Sequence, residues 1–183
     1  KLNKIQWDDM LNYGEGNFID FNAVSGLVGI FAANAAGKSS IFDILLEGLF
    51  DKVPKDVPKN IDLINDNKDS GKINIDFSSG DNNFSIERKI EKINYDKKKS
   101  DVKQWGKTSL DFLKGETSLN GNTRAETEKA IRSIIGSFED FVLTAMITQN
   151  PVFGIPGGGD IINCKETDRR KILFRFLDLD LYE

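Results

Sequence analysis

The chain has 183 residues, 39% of them hydrophobic and 30% charged, with a formal net charge of −4. That length supports one domain with a real core and room for a small second lobe, and the acidic balance excludes a uniformly basic, nucleic-acid-coating surface, so any DNA contact must come from a local patch. With 1 cysteine, Cys164, and 0 histidines, an intrachain disulfide, cysteine-cluster metal sites and histidine-based triads or zinc motifs are excluded within these residues.

In chain order, Leu2 to Trp7 and Phe18 to Phe21 read as short strands on either side of a Gly14-Glu15-Gly16 turn. Leu27-Val28-Gly29-Ile30-Phe31 is an unbroken apolar run, the pattern of a strand buried on both faces. A loop of small residues follows, then a helix over Ser39 to Phe50 whose apolar residues cover more than one face, so most of it should be buried. Asp51 to Asn60, with Pro54, Pro58 and several lysines, reads as a loop. Ile73, Ile75 and Phe77 alternate with polar residues, as do Phe84, Ile86 and Ile90, with Arg88 interrupting the second pattern; the turn Ser79-Gly80-Asp81-Asn82 between them predicts an antiparallel hairpin.

Asn94 to Lys107 is polar, carries Lys97-Lys98-Lys99, and is expected to be a loop; its lysines fit a solvated loop or a contact to DNA phosphates. Leu110 and Phe112 suggest a strand. Thr123 and Glu126 form a capping box, with Ala130, Ile131, Ile134 and Ile135 on one face of the helix that Gly136 ends. A short helix over Glu139 to Leu143, a strand-like run to Gln149, a loop over Pro151 to Gly159 and a last helix over about Thr167 to Leu177 complete the reading. Arg169, Arg170 and Lys171 fit the polar face of that helix, and Trp7 and Trp105 fit ordinary packing. No run approaches the ~18–20 apolar residues of a membrane span, and no signal peptide is visible. A cytoplasmic protein without a membrane partner is therefore expected. A chain that starts at Lys1 and not at Met suggests a piece of a longer product.

The pattern that carries chemistry is apolar strand, small-residue loop, Gly37-Lys38-Ser39, helix. A triphosphate needs several backbone N–H donors converging on it, and a loop that wraps into a helix N-terminus supplies them. Lys38 is placed to reach the terminal phosphates and the Ser39 hydroxyl to ligate Mg²⁺, so ATP with Mg²⁺ is the expected ligand. The strict phosphate-loop pattern has glycine where this chain has Ala32. Alanine is accommodated there at negative φ, whereas positive φ would cost about 1–2 kcal/mol.

Asn12-Tyr13-Gly14 through Phe21, Gly29 to Ser40, Leu49-Phe50, Asp62 to Asn65, Ile86-Glu87-Arg88, Ile147-Thr148-Gln149-Asn150 and Asp168 to Leu173 with the Leu179 to Glu183 end together resemble the N-terminal lobe of SbcC-type DNA double-strand-break repair ATPases. These belong to the wider SMC and ABC-type ATPase group, and phage recombination endonuclease large subunits are close kin. The long interval from Lys38 to Gln149 is similar to the DNA-repair branch and unlike transporter-type members.

The resemblance implies an α/β fold, with a mixed sheet around the phosphate-loop helix and an antiparallel sheet beside it. It implies one lobe over 1–183, with a phosphate loop at 32–40, the antiparallel sheet at about 71–113, a Q-loop at about 147–151 and a helix leading toward a coiled coil at about 166–183. Ala33, Asn34, Ala35, Ala36, Gly37, Lys38, Ser39 and Ser40 would contact the nucleotide, Ser39 and Gln149 the Mg²⁺, and Lys38 and Gln149 would serve catalysis. The implied partners are a C-terminal lobe of the same protein, a second head in a homodimer closed by ATP, an SbcD-like nuclease and DNA. The full protein would be an ATPase within an exonuclease complex. No signature motif, Walker B run or switch histidine occurs between Lys1 and Glu183, so the lobe alone is expected to bind ATP without hydrolysing it. Two other classes fit the same residues: an SMC-, RecF- or RecN-like head that acts without a nuclease, and a non-catalytic scaffold with a degenerate phosphate loop.

Overall fold

The computed structural model describes residues 1–53, 60–94, 104–146, 165–167, 169–170 and 174. They divide between two compact units. The first contains β1 (Leu2–Asp8), β2 (Asn17–Asp20), α1 (Lys38–Phe50), a 3-10 turn (Asn60–Leu63), β3 (Ser70–Ser79), β4 (Asn82–Asn94), β5 (Gln104–Lys114), β6 (Thr117–Ser118) and α2 (Arg124–Ile135). The second contains α3 (Phe138–Ala145).

In the first unit the six strands form one sheet in the order β2-β1-β3-β4-β5-β6, with every neighbouring pair antiparallel. The period of two seen in the sequence becomes a two-faced sheet. One row of the inner face runs Ile5, Ile75, Ile86, Phe112 across four strands, all buried. Phe77 and Phe84 stack beside it, with ring centres 5.2 Å apart, and Phe84 stacks on Phe112 at 5.8 Å. The other face is polar, with Lys72 paired to Glu87 at 2.8 Å and Ser85 bonded to Asn74 at 3.1 Å. The expected hairpin forms as β3 and β4, and Gly80 takes φ 57 in its turn, a conformation that costs glycine little.

Helix α1 lies on the inner face. Gly48 allows the close approach: a Cβ there would collide with Ile75 and Ile73. Burial of α1 begins at Asp43 and continues through Ile44, Leu46, Glu47, Leu49 and Phe50, while Phe42 is exposed. The capping box forms as expected, with Glu126 N–H donating to Thr123 Oγ1 and Thr123 N–H to the Glu126 carboxylate, both at 3.3 Å. Gly136, at φ 85, follows the end of α2.

Two expectations are corrected. Leu27–Phe31 is neither a strand nor buried; Leu27, Val28, Ile30 and Phe31 are all exposed. A run buried on both faces needs strands beside it and layers above and below, and among the described residues nothing pairs with it. The polar stretch after Asn94 is shorter than expected, because β4 runs through Asn94 and β5 begins at Gln104. There the ladder to β4 satisfies the backbone whatever the side chains' polarity. Lys97-Lys98-Lys99, the strand-like run and Q-loop around Gln149, and the loop over 151–159 lie outside the described residues. Of the last helix, Glu166, Thr167, Arg169, Arg170 and Phe174 are helical and the remainder lies outside them. In the second unit, Ser137 caps α3 by accepting from Asp140 N–H at 3.1 Å.

The Arg88 that interrupts the apolar pattern of β4 is wholly buried. Its Nε donates to Gly48 O at 2.8 Å and its Nη2 to Leu49 O at 3.5 Å, both late carbonyls of α1. Its two Nη atoms also grip the Glu128 carboxylate on α2. Arg124 reaches Asp51, the residue that caps α1. Beside this cluster sits Glu47, also buried. Burial first, then the negative charge of Asp51, pushes its carboxyl from an ordinary 4.5 to about 7, against the pull of Arg88 and Arg124.

The folded chain therefore holds a proton on Glu47 between pH 4.5 and about 7 that the unfolded chain has released. This group's contribution favours folding below that window and is lost as pH rises through it. Urea midpoints measured at about pH 5 and about pH 8 should fall with pH, and the fall should shrink in Glu47→Gln. An unchanged pH dependence in that variant would show that the carboxyl is already ionised in the folded chain.

Candidate functional site

The expected phosphate loop occupies the segment between Phe31 and the first turn of α1. Gly37 is the N-cap of α1 at φ 91 and ψ 11, a left-handed conformation. It gives the helix no side-chain cap, and α1 has no acidic residue in its first turn. The other helices are finished differently: α2 has its Thr123–Glu126 box, and α3 has Ser137 with Glu139 and Asp140 in its first turn. Leading N–H groups of a helix lack intrahelical partners and carry the positive end of its dipole. In α1 no side chain neutralises that end, and Lys38 adds a positive charge to it.

Lys38 arcs back over the loop, its Nζ donating at 2.8 Å to both Ala32 O and Ala33 O. The loop is closed further by Ala36 N–H to Ala33 O at 3.3 Å and Ser40 N–H to Gly37 O at 2.9 Å. Asn34 and Ser39 are exposed, and Ser40 is half-buried. The structure thus brings Ala33, Asn34, Ala35, Ala36, Gly37, Lys38, Ser39 and Ser40 into one closed loop and helix start. Gln149, the other expected metal ligand, lies outside the described residues. Among the described residues no three His, Cys, Asp or Glu side chains converge as a metal cage; the side-chain oxygens in this loop belong to Asn34, Ser39 and Ser40, a type of donor that hard cations take. Among the described residues no helix is long and apolar enough to cross a membrane.

The loop's conformational strain does not fall where the sequence pattern pointed. Ala32 is not among the residues with positive φ, so the alanine in the first-glycine position sits without strain. Ala35 is the non-glycine residue of the loop in the left-handed region, at φ 62. A run of small residues carries no marker of which member takes positive φ, so this position was not legible beforehand.

Two further contacts were also unread. Tyr13 Oη donates to Gly37 O at 3.0 Å, and Asn12 Nδ2 donates to Ala35 O at 3.3 Å. In the sequence these residues carried family resemblance only; nothing in their spacing ties them to a loop more than twenty positions away.

The AAA domain family matches residues 4–177. Among individual relatives, a functionally uncharacterised protein of Acanthamoeba polyphaga mimivirus is 30% identical over 187 aligned residues, covering 100% of this chain and 13% of the relative. The C component of the nuclease SbcCD of Bacillus subtilis is 25% identical over 176 residues, covering 93% of this chain and 15% of that protein. The DNA double-strand break repair Rad50 ATPase of Sulfolobus acidocaldarius is 41% identical over 61 residues, covering 33% of this chain and 7% of that protein. The chain therefore spans only a small part of the length of each of these relatives.

The two alanines should respond with opposite signs. Ala32→Gly should lower stability by about 0.4–1 kcal/mol, because it only loosens the unfolded chain. Ala35→Gly releases a left-handed alanine worth about 1–2 kcal/mol, so it should be neutral or stabilising. Urea unfolding of both variants decides this, and equal destabilisation by the two would contradict the strain at Ala35.

Proposed function

Since the chain belongs to the AAA domain family, with SbcC/Rad50-type ATPases as its relatives, we propose that residues 32–40 bind ATP with Mg²⁺ and that the chain forms the nucleotide-binding lobe of a DNA double-strand-break repair ATPase. The observation that carries this reading is the N-terminus of α1: no side-chain cap, no acidic neighbour in its first turn, and Lys38 folded over the loop ahead of it. Such an end favours an anion. Lys38 neutralises phosphate charge, and backbone N–H groups of the loop orient the phosphates. Ser39 and Gln149 would hold the Mg²⁺, which would spread the charge of the phosphate oxygens.

The exposed run Leu27, Val28, Ile30 and Phe31 supports the second half of the proposal. A contiguous apolar segment in water marks a surface that is covered in the working protein. A C-terminal lobe of a longer polypeptide would lay a strand along it and complete a mixed sheet around α1. That lobe, a second head closed against this one by ATP, a coiled coil, an SbcD-like nuclease and DNA complete the assembly we propose. Within it, ATP binding and release would regulate the nuclease at DNA ends. Alone, the chain would bind ATP without turning it over, because hydrolysis needs a carboxylate to orient the water and groups that oppose Lys38 across the γ-phosphate.

Titration of the chain with MgATP tests the reading. Lys38→Ala removes a charge-assisted contact of about 1.5–3 kcal/mol, so affinity should fall by about ten- to a hundredfold. Equal affinity in the two proteins would remove the phosphate loop from nucleotide binding.

A further inference from the structure

The phosphate loop is held from outside by a separate segment. Residues 9–13 form a tight turn after β1, and two of them are non-glycine residues at positive φ, Asp9 at 55 and Leu11 at 50. Such backbone persists only where its surroundings hold it. Asn65 does much of this. Its Nδ2 donates to Leu11 O at 2.9 Å and to Tyr13 O at 3.2 Å, and its backbone N–H donates to Asp9 O at 2.9 Å. Leu11 N–H to Leu63 O at 2.8 Å and the wholly buried Met10 fix the same turn to the core. Its tip presents two side chains, Asn12 to Ala35 O and Tyr13 to Gly37 O.

Tyr13 is itself oriented by the buried Trp7, edge to face at 5.3 Å between ring centres. Its ring and hydroxyl lie so close to Gly37 that a Cβ there would meet three of its atoms at 3.3 Å. Gly37 is therefore demanded twice, by its left-handed φ and by the tyrosine. The peptide plane gives these contacts a consequence. A carbonyl and the N–H of the next residue share one planar trans unit and point in opposite directions. Fixing Gly37 O thereby aims the Lys38 N–H, and fixing Ala35 O aims the Ala36 N–H. The Lys38 N–H is one that a phosphate-binding loop would present, while the Ala36 N–H is turned to Ala33 O at 3.3 Å and closes the loop.

We infer that Asn12 and Tyr13 are positioning residues that hold the phosphate loop in its binding conformation through the carbonyls of Ala35 and Gly37, with Asn65 as the anchor of the turn that carries them. This rests on the proposed phosphate binding at residues 32–40. It assigns Tyr13 a role through its hydroxyl and toward phosphate, distinct from stacking on a base. Burial raises the Tyr13 phenol above its ordinary 10, so at neutral pH it is protonated and donates.

Binding of MgATP and of magnesium tripolyphosphate, which has the phosphates and no base, should be measured on the chain, Tyr13→Phe, Tyr13→Ala, Asn12→Ala and Lys38→Ala, with urea midpoints alongside. Tyr13→Phe keeps the ring and removes only the hydroxyl, so it should weaken both ligands alike, by about three- to tenfold, and leave the urea midpoint close to that of the unaltered chain. Asn12→Ala should act in the same direction on both ligands. Unaltered affinity for both ligands in Tyr13→Phe would overturn the inference, as would a loss in Tyr13→Ala confined to MgATP, the mark of base stacking. Failure of the unaltered chain to bind either ligand, or binding insensitive to Lys38→Ala, would overturn the phosphate-loop reading and the inference with it.

Discussion

A guanidinium sealed from water must find partners for its charge and its donors, and Arg88 finds them on two helices at once. Those partners matter because an unpaired buried charge costs several kcal/mol. Its Nε is aimed at the last turn of α1 and its Nη atoms at Glu128 of α2, while its own backbone is locked in the centre of the sheet between β3 and β5. Sheet, α1 and α2 are thereby referred to one point. Late carbonyls of α1, which the helix leaves without intrahelical partners, gain a cationic donor where the helix dipole is negative. Below about pH 7 the protonated Glu47 beside them adds no second negative charge and leaves Glu128 as the partner of Arg88.

With its C-terminal end held in this way, α1 carries its other end as a rigid rod. That other end lacks a side-chain cap and meets the loop that Lys38 closes. Loop and helix start are fixed from the opposite side by the turn at residues 9–13. The helix is thus gripped at its polar ends and packed through its buried C-terminal half, while Phe42 and the neighbouring Leu27–Phe31 run remain in water. That apolar surface lies beside the loop, in a chain that spans a small part of the length of its relatives.

Much of this was legible in the residues. Alternation in Ile73–Phe77 and Phe84–Ile90 around Gly80 gave the central hairpin, because a period of two has one meaning when a turn residue divides it. Thr123 and Glu126 marked the start of α2, and Gly-Lys-Ser ahead of an apolar stretch marked α1. What failed did so for want of long-range information. Leu27–Phe31 reads as a buried strand because its composition records where it is stable, and composition does not say which residues cover it. Arg88 was visible as a charge in an apolar slot, yet its partner Glu128 lies 40 positions away on another element. The strain at Ala35 and the reach of Asn12 and Tyr13 were hidden for the same reason, since backbone torsions and side chain to carbonyl bonds leave no periodicity in a sequence.

In the proposed function, the backbone N–H groups where the loop enters α1 receive phosphate. The direct measurement is the amide nuclear magnetic resonance spectrum of the chain, titrated in parallel with MgATP and with adenosine. The expected result is that the amides of Gly37, Lys38, Ser39 and Ser40 shift strongly with MgATP and stay in place with adenosine. Amides that do not move with MgATP, or that move equally with adenosine, would contradict it.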